Sequence, residues 1–460
     1  MKKIKNLSLL LMLGALLITG CDKYLDITPK GKRLLTTVND YDQWMNDQTL
    51  VLGVGGQQAI VNFLGDNVDV VSITTPPTSS AQLLYTWAPQ YSFDVTTAPL
   101  IWSEHYAKIS SYNTVLVGID NATGGTDTKK RSLKAEALLA RALEYFYLLN
   151  EYGKVYDAAT ASTDLAVPFV TSDDVSQKTP PRATVAEIYQ HIIDDVNAAI
   201  PDLPADNSTN RYRGSTASAY SLLSRLYFYA LNYPEAQKYA ELALANTNAV
   251  ILDLNGANPT SNMLGLQSDV IYGRMNLVFA VPVTLDYMNS FAANDLRVRK
   301  LYTNTDGFRF TTRGATQYSP PLVTPVTNYY YTNTGTSVQE MKLIAAESAA
   351  RANNLSTALQ YLDDVRRNRF PTATYVKYSS TIQENVLQEV LSERDHELGF
   401  AGLRWFDMRR LDKEGRMGTV YRYDAQGSVV ATLEPKSNKY TLQIPVQVMS
   451  FNPDMPQNPY

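Results

Sequence analysis

The chain has 460 residues, 45% of them hydrophobic, with 41 basic against 45 acidic side chains and a formal net charge of −4. That apolar content is enough for a substantial core, and the absence of basic tracts argues against nucleic acid as a partner. A single cysteine, Cys21, excludes both a disulfide framework and a thiolate metal site.

Residues 1–20 read as a secretory signal: a basic head (Lys2, Lys3, Lys5), the apolar run Leu7–Ile18, and Gly20 before Cys21. The apolar run is too short to span a bilayer, and no other run approaches the roughly 18 residues required. Leu17-Ile18-Thr19-Gly20-Cys21 resembles a bacterial lipobox, so Cys21 is the expected lipidation site and the first residue after cleavage. Residues 21–36, with Pro29 and Gly31, form a lipidated tether, and residues 37–460 a single domain.

Within that domain Thr37–Leu50 predicts a first helix, capped near Asn39 or Asp40. Residues 51–98 lack a helical period but carry Tyr85, Trp87, Tyr91 and Phe93, and a loop so long and so aromatic reads as functional rather than disordered. Leu100–Ile119 and Ser132–Tyr152 predict helices. In the second, Leu138, Ala142, Tyr145 and Leu149 mark the buried face, Arg141 and Glu144 flank it, and Gly153 is a stop. After a Pro-containing insertion, 156–182, Thr184–Ile200 resumes as a helix and pairs with it.

The clearest repeat is Ala217–Leu244. Tyr220, Leu223, Ser224 and Tyr227, then Tyr233 with Ala236, Ala240, Ala243 and Leu244, occupy the packing positions of a tetratricopeptide unit. Small residues at three- and four-residue spacing let two antiparallel helices approach closely. Val338–Arg369 repeats the spacing through Leu355, Ala358, Leu362 and Val365. Between these pairs lies the insertion 250–337, with Tyr272, Tyr287, Phe291, Tyr302 and the cluster Tyr329-Tyr330-Tyr331. Ser379–Leu411 is helical with a break near Gly399 and Gly402. Val420–Leu433 reads as a β-hairpin turning at Gly427, and Thr441–Tyr460 as an extended tail. The fold class is therefore mainly α: tetratricopeptide-like pairs forming a scaffold, with long loop-rich insertions and a small hairpin.

Four stretches also carry a family resemblance. They are Cys21-Asp22-Lys23-Tyr24-Leu25-Asp26 with Pro29, the helix Lys134–Tyr156 with Glu151-Tyr152-Gly153, the segment ERDHELGFAGLRWFDMRR at Glu393–Arg410, and the tail Ile444-Pro445, Asn452-Pro453 and Gln457-Asn458-Pro459. In these the chain resembles the SusD/RagB family of Bacteroidetes outer-membrane lipoproteins. Asp395 and His396 stand where that family commonly has basic residues, and Leu403 where a polar one is frequent. The resemblance implies four tetratricopeptide-like units, of which three are read by pattern and Leu100–Ile119 supplies the first piece of the fourth. It also implies a lid over a SusC-like TonB-dependent transporter at the cell surface, anchored to the outer membrane by lipid and capturing oligosaccharides or, alternatively, peptides.

Chemistry is hard to find. His105, His191 and His396 fall in three different helices without zinc-type spacing, Asp120–Asp127 lacks calcium-loop spacing, and no phosphate loop, dinucleotide fingerprint or nucleophile elbow occurs. In Glu393–Arg410 the acids and bases sit at intrahelical pairing distances, Glu393 with Glu397 and Arg404 with Asp407, and Trp405 and Phe406 read as core. No catalytic residue, metal or cofactor is expected. An adaptor lipoprotein that binds only proteins is the other reading, but the repeat positions Ala236 and Ala358 are too far apart for a continuous groove. The ligand site is expected between the two long insertions. Trp87 and Tyr85 come from the first and Tyr272, Tyr287 and Tyr302 from the second, with Asp66, Asn67 and Arg274 as polar partners. Loop aromatics have no repeat geometry to satisfy, and Trp87 offers the largest stacking face, so Trp87 is expected to be exposed.

Overall fold

The structure, a computed structural model, describes residues 35–53, 60–256, 268–278, 281–319 and 330–460. The signal, Cys21 and the side chains of Tyr329-Tyr330-Tyr331 lie outside the described residues.

The scaffold is built from helices that bury small residues against one another. Helix α1 is Val38–Met45, where Thr37 and Asp40 form a capping box, so the helix starts just before the cap read from sequence and ends sooner. After a short α2 (Ser80–Tyr85) come α3 (Leu100–Gly118) and the longest helix, α4 (Asp127–Tyr152). Helix α4 packs against both α3 and α5 (Val185–Ala199). Its burial is not one-sided: Arg141 and Glu144, expected to flank the core, lie inside it. Arg141 meets Asp195 of α5 at 2.7 and 2.8 Å, and Glu144 meets His105 of α3 at 2.7 Å. A helix enclosed on several sides needs such partners for every polar side chain it carries.

Helices α6 (Thr216–Tyr229) and α7 (Tyr233–Asn246) form the central pair. Ala236, Ala240 and Ala243 are wholly buried, and the approach is close enough for the Ser224 hydroxyl to donate to the Ala236 carbonyl at 2.9 Å. After a short α8 (Leu285–Asn289) and α9 (Leu296–Leu301), α10 (Val338–Arg351) and α11 (Leu355–Arg366) form the third pair. Helix α10 also packs on α7 and on α12 (Gln383–Leu398), its Ala345, Ala346, Ala349 and Ala350 all buried. Gly402, with φ +73, turns the chain between α12 and α13 (Arg404–Lys413). The tail is not wholly extended, since Val446–Phe451 forms a short α14.

Sheet structure is minor: β1 (Leu52–Gly53), β2 (Leu165–Pro168), β3 (Arg182–Thr184), β4 (Val270–Tyr272), β5 (Met275–Val278), β6 (Val281–Pro282), β7 (Gln317–Tyr318), β8 (Tyr330–Asn333) and β9 (Thr336–Ser337). Strand β5 lies between β1 and β8, so a strand of the first insertion joins two of the second. The expected hairpin is β10 (Val420–Tyr423) and β11 (Val429–Leu433), antiparallel, with Gly427 at φ +85 in its turn.

Most of Glu393–Arg410 is scaffold, through contacts between elements as well as along α13, while Asp395 and Arg404 face a cleft between the two long insertions. Asp407 receives Arg394 at 3.0 Å and Arg410 at 2.8 Å, while Arg410 grips Glu347 of α10 at 2.6 and 2.9 Å. Glu393 and Glu397 both accept from Arg297 of α9, at 2.7 and 3.0 Å. Trp405 and Phe406 are core.

Candidate functional site

The two long insertions meet. Asp69 N–H donates to the Pro282 carbonyl and Thr284 N–H to the Asn67 carbonyl, each at 3.0 Å, and a β-bridge joins Val68 to Val283. Where they meet, a cleft of ≈ 540 Å³ opens, lined among others by Asp66, Asn67, Tyr85 and Tyr287. Four of the eight residues expected to bind ligand are thus brought to one place. The volume suits a small-molecule or sugar site, which typically spans roughly 300–1,000 Å³.

Trp87 is not exposed. It is 2% accessible, its indole N–H donates to the Leu64 carbonyl at 3.1 Å, and its ring packs on Arg422. Tyr85 packs on the same group, with the guanidinium carbon 4.4 Å from the Tyr85 ring centre and 4.3 Å from that of Trp87. Tyr272 and Arg274 lie elsewhere in the core: the Arg274 guanidinium sits over the Tyr272 ring at 4.2 Å and donates to its hydroxyl at 2.6 Å. Tyr302 stands behind Tyr287, their hydroxyls 3.1 Å apart. Tyr220 and Tyr227, at repeat positions, are by contrast only half-buried, with Tyr227 stacked on Tyr239. Tyr85, Trp87, Tyr272, Tyr287 and Tyr302 are drawn inward, with aliphatics such as Val61, Leu64, Leu83 and Leu84, to seal the insertions onto the scaffold, whereas Phe93 stays exposed.

The exposed aromatic face comes instead from β10. Side chains alternate along a strand, so Tyr421 and Tyr423 share one face and Arg422 points the other way. Arg422 enters the loop beneath and donates to the Tyr85 carbonyl at 2.9 Å, Val68 at 3.1 Å and Gly65 at 2.7 Å. Burial without a carboxylate partner lowers its pKa to about 10, against smaller opposing effects of Tyr85, Asp66 and Asp69. This buried anchor fixes the strand over the cleft. Tyr421 and Tyr423 remain 49% and 38% exposed, their ring centres 6.5 Å apart, and both line the cleft. The Val420–Tyr423 alternation was visible in sequence; which way the hairpin faced was not.

Below the tyrosines the walls are acidic. Arg404 donates to both oxygens of Asp66, at 2.6 and 2.7 Å, and Arg313 to both oxygens of Asp69, at 2.8 and 2.7 Å. Tyr85 adds a hydroxyl donor to Asp69 at 3.2 Å. Asp395 lies 3.3 Å from Arg404 but makes no hydrogen bond through that oxygen. Burial, then the neighbouring Asp66 and Asp407 charges, push its pKa to about 7 despite Arg404. Burial acts the same way on Asp66, but there the Arg404 guanidinium prevails and holds the carboxyl below its ordinary range. Asn67 donates to the Gly399 carbonyl at 2.8 Å, while its own amide oxygen is buried without a partner.

A second cleft, of ≈ 660 Å³, lies between the end of α4 and the C-terminal tail, with Lys154, Lys413 and Lys436 on its walls. Its aromatic, Tyr440, is buried and already stacked on Trp405, ring centres 5.3 Å apart. Among the described residues no helix is long and apolar enough to cross a membrane.

A helical scaffold that fixes an aromatic-rimmed polar cleft defines a binding protein's architecture. Sequence models agree on the family: one described as "Starch-binding associating with outer membrane" matches residues 23–228, and the SusD family model matches residues 338–460. The chain belongs to the SusD/RagB family. A SusD-like protein of Bacteroides ovatus is 25% identical over 49% of this chain and 39% of its own length; SusD-like protein P2 of Formosa agariphila is 24% identical over 78% and 79%. The fold matches a SusD superfamily protein of Bacteroides thetaiotaomicron (TM-score 0.73, 18% identity, 92% of this chain and 100% of that one). It also matches surface glycan-binding protein A of Bacteroides uniformis (TM-score 0.68, 18% identity, 92% and 98%).

Proposed function

We propose that this protein is a cell-surface carbohydrate-binding lipoprotein without a catalytic step, which captures oligosaccharide in the Tyr421–Tyr423 cleft. The observation that carries the reading is the pair of exposed tyrosines held rigidly by buried Arg422 above a polar cleft. Flat aromatic faces stack on the apolar faces of sugar rings, and fixed carboxylates and amides bond their hydroxyls. Asp66, Asn67, Tyr85 and Tyr287 contribute from the walls. The family's description as starch-binding supports the ligand class, as does the name of the Bacteroides uniformis neighbour. A peptide ligand in the same cleft is the alternative. An array carrying both glycans and peptides decides between them: glycan spots bound by wild type and lost in Tyr421→Ala/Tyr423→Ala support the proposal, and binding to peptides alone contradicts it.

The anchor and the partner belong to the same proposal. Lipidated Cys21 would tether the protein to the outer membrane, where it would pass captured glycan to a SusC-like TonB-dependent transporter. Cys21→Ala is expected to abolish labelling by an alkyne fatty acid, because only the thiol accepts the diacylglycerol. Equal labelling of the variant would refute the anchor.

A further inference from the structure

The cleft's charges are unequal, and their arrangement bears on which sugars it can hold. Four aspartates line it, Asp66, Asp69, Asp286 and Asp395, the last only about half ionised at pH 7, against two guanidinium groups, Arg313 and Arg404. Both arginines are already engaged. Arg404 spans the two oxygens of Asp66, and Arg313 spans those of Asp69 while also donating to the Asp424 carbonyl at 2.7 Å. The third nearby cation, Arg422, lies behind Tyr85 and spends its donors on backbone carbonyls. Asp286 is exposed, and no cation pairs with it among the described residues. The buried, unpartnered Asn67 oxygen is an acceptor as well. What the walls lack is a positive charge free to receive an anion; what they offer in excess is acceptors.

The molecule is not short of cations in general. The second cleft carries Lys154, Lys413 and Lys436 with the buried Arg182 and Arg409, against Asp157, Asp164 and Asp412, so cations are in excess there. The acidity of the tyrosine-rimmed cleft is therefore local.

We propose, resting on the reading of this cleft as the glycan site, that it selects sugars by charge: it prefers a sugar bearing a protonated amine, accepts a neutral one, and rejects uronic or sulfated sugars. An incoming carboxylate or sulfate must shed water, meets acids first, and finds both arginines occupied. An ammonium group meets Asp286 and the face of Tyr421, partners of the right sign, while the Tyr423 ring already has Arg313 over it at 5.7 Å. A neutral sugar gains stacking and hydroxyl-to-carboxylate bonds only.

The test uses three sugars of one ring stereochemistry that differ in charge: glucosamine, glucose and glucuronate, each at millimolar concentration with the whole protein at pH 7, followed by saturation-transfer NMR. Glucosamine is expected to bind about three- to fivefold more tightly than glucose, the range of one exposed ion pair, and glucuronate about tenfold more weakly than glucose. Asp286→Asn should narrow the gap between glucosamine and glucose. All transfer should vanish in Tyr421→Ala/Tyr423→Ala. If transfer depends on the tyrosines but glucuronate matches or exceeds glucosamine, selection by charge is wrong and the site stands. If transfer is unchanged in the tyrosine variant, or none of the three sugars shows any, the site itself is misplaced and the inference falls with it.

Discussion

In the scaffold, Arg225 grips Glu340 at 2.6 and 2.6 Å; at the cleft, Arg404 grips Asp66 at 2.6 and 2.7 Å. The two pairs share a geometry but not their surroundings. Arg225 and Glu340 are sealed in, and the remaining guanidinium hydrogens go to the Thr334 and Gly335 carbonyls at 3.1 and 2.7 Å. Arg404 and Asp66 are partly open to solvent, and a second acid, Asp395, crowds the same arginine without a hydrogen bond. A saturated buried pair locks helices together and has nothing left to offer a ligand. A crowded, half-open pair leaves acceptors available, and it lines the same cleft as the half-exposed rings of Tyr421 and Tyr423, the latter with Arg313 over it at 5.7 Å. The scaffold and the cleft use the same residue types, and the difference lies in what remains unsatisfied.

Breaking the scaffold side of this comparison has the largest expected effect. Asp407→Ala leaves Arg394 and Arg410 buried beside each other with their shared carboxylate gone, and should cost about 3–5 kcal/mol of stability. Chemical denaturation reads this directly; a loss below about 1 kcal/mol would mean the network relaxes freely. Trp87→Ala opens a cavity and removes a ring packed on Arg422, for a loss of about 3–5 kcal/mol. A Trp87→Ala protein with unchanged denaturation midpoint but no glycan binding would return Trp87 to the ligand site.

Asp395 sharpens the cleft side through pH. Its pKa rises from the ordinary 3.8 to about 7 in the folded protein. Below about pH 4 the group is protonated folded and unfolded, and adds nothing. Between there and pH 7 the unfolded chain gives up the proton while the folded chain keeps it, so stability falls as pH rises, then levels off. Asp395→Asn removes that slope. The variant should gain on wild type across this window and exceed it at pH 8 by on the order of 1 kcal/mol or more. Parallel stability curves for the two proteins would contradict this.

Legibility followed the same division. The central pair could be read because Ala236, Ala240 and Ala243 must be small for α6 and α7 to touch, a local constraint written in the spacing. The hairpin could be read from its alternation and Gly427. That Asp66, Asn67, Tyr85 and Tyr287 would meet was also within reach, since both insertions leave the same scaffold. Exposure was not legible. Trp87 turns inward and packs on Arg422, which comes from the other end of the chain. Asp66 and Arg404 are 338 residues apart, so no spacing announces the pair. Tyr421 and Tyr423 are not legible as a site because a short hairpin has two faces, and only its docking onto residues 63–68 and Tyr85 decides which one meets solvent.

Tyr421 and Tyr423 are therefore expected to serve binding and not the fold. Calorimetric titration of Tyr421→Ala and Tyr423→Ala with whichever oligosaccharide the array identifies, beside their thermal unfolding, tests this most directly. Each variant should lose about 1–3 kcal/mol of binding free energy while its melting temperature stays within a degree or two of wild type. Full affinity in both variants, or unfolding of either, would contradict it.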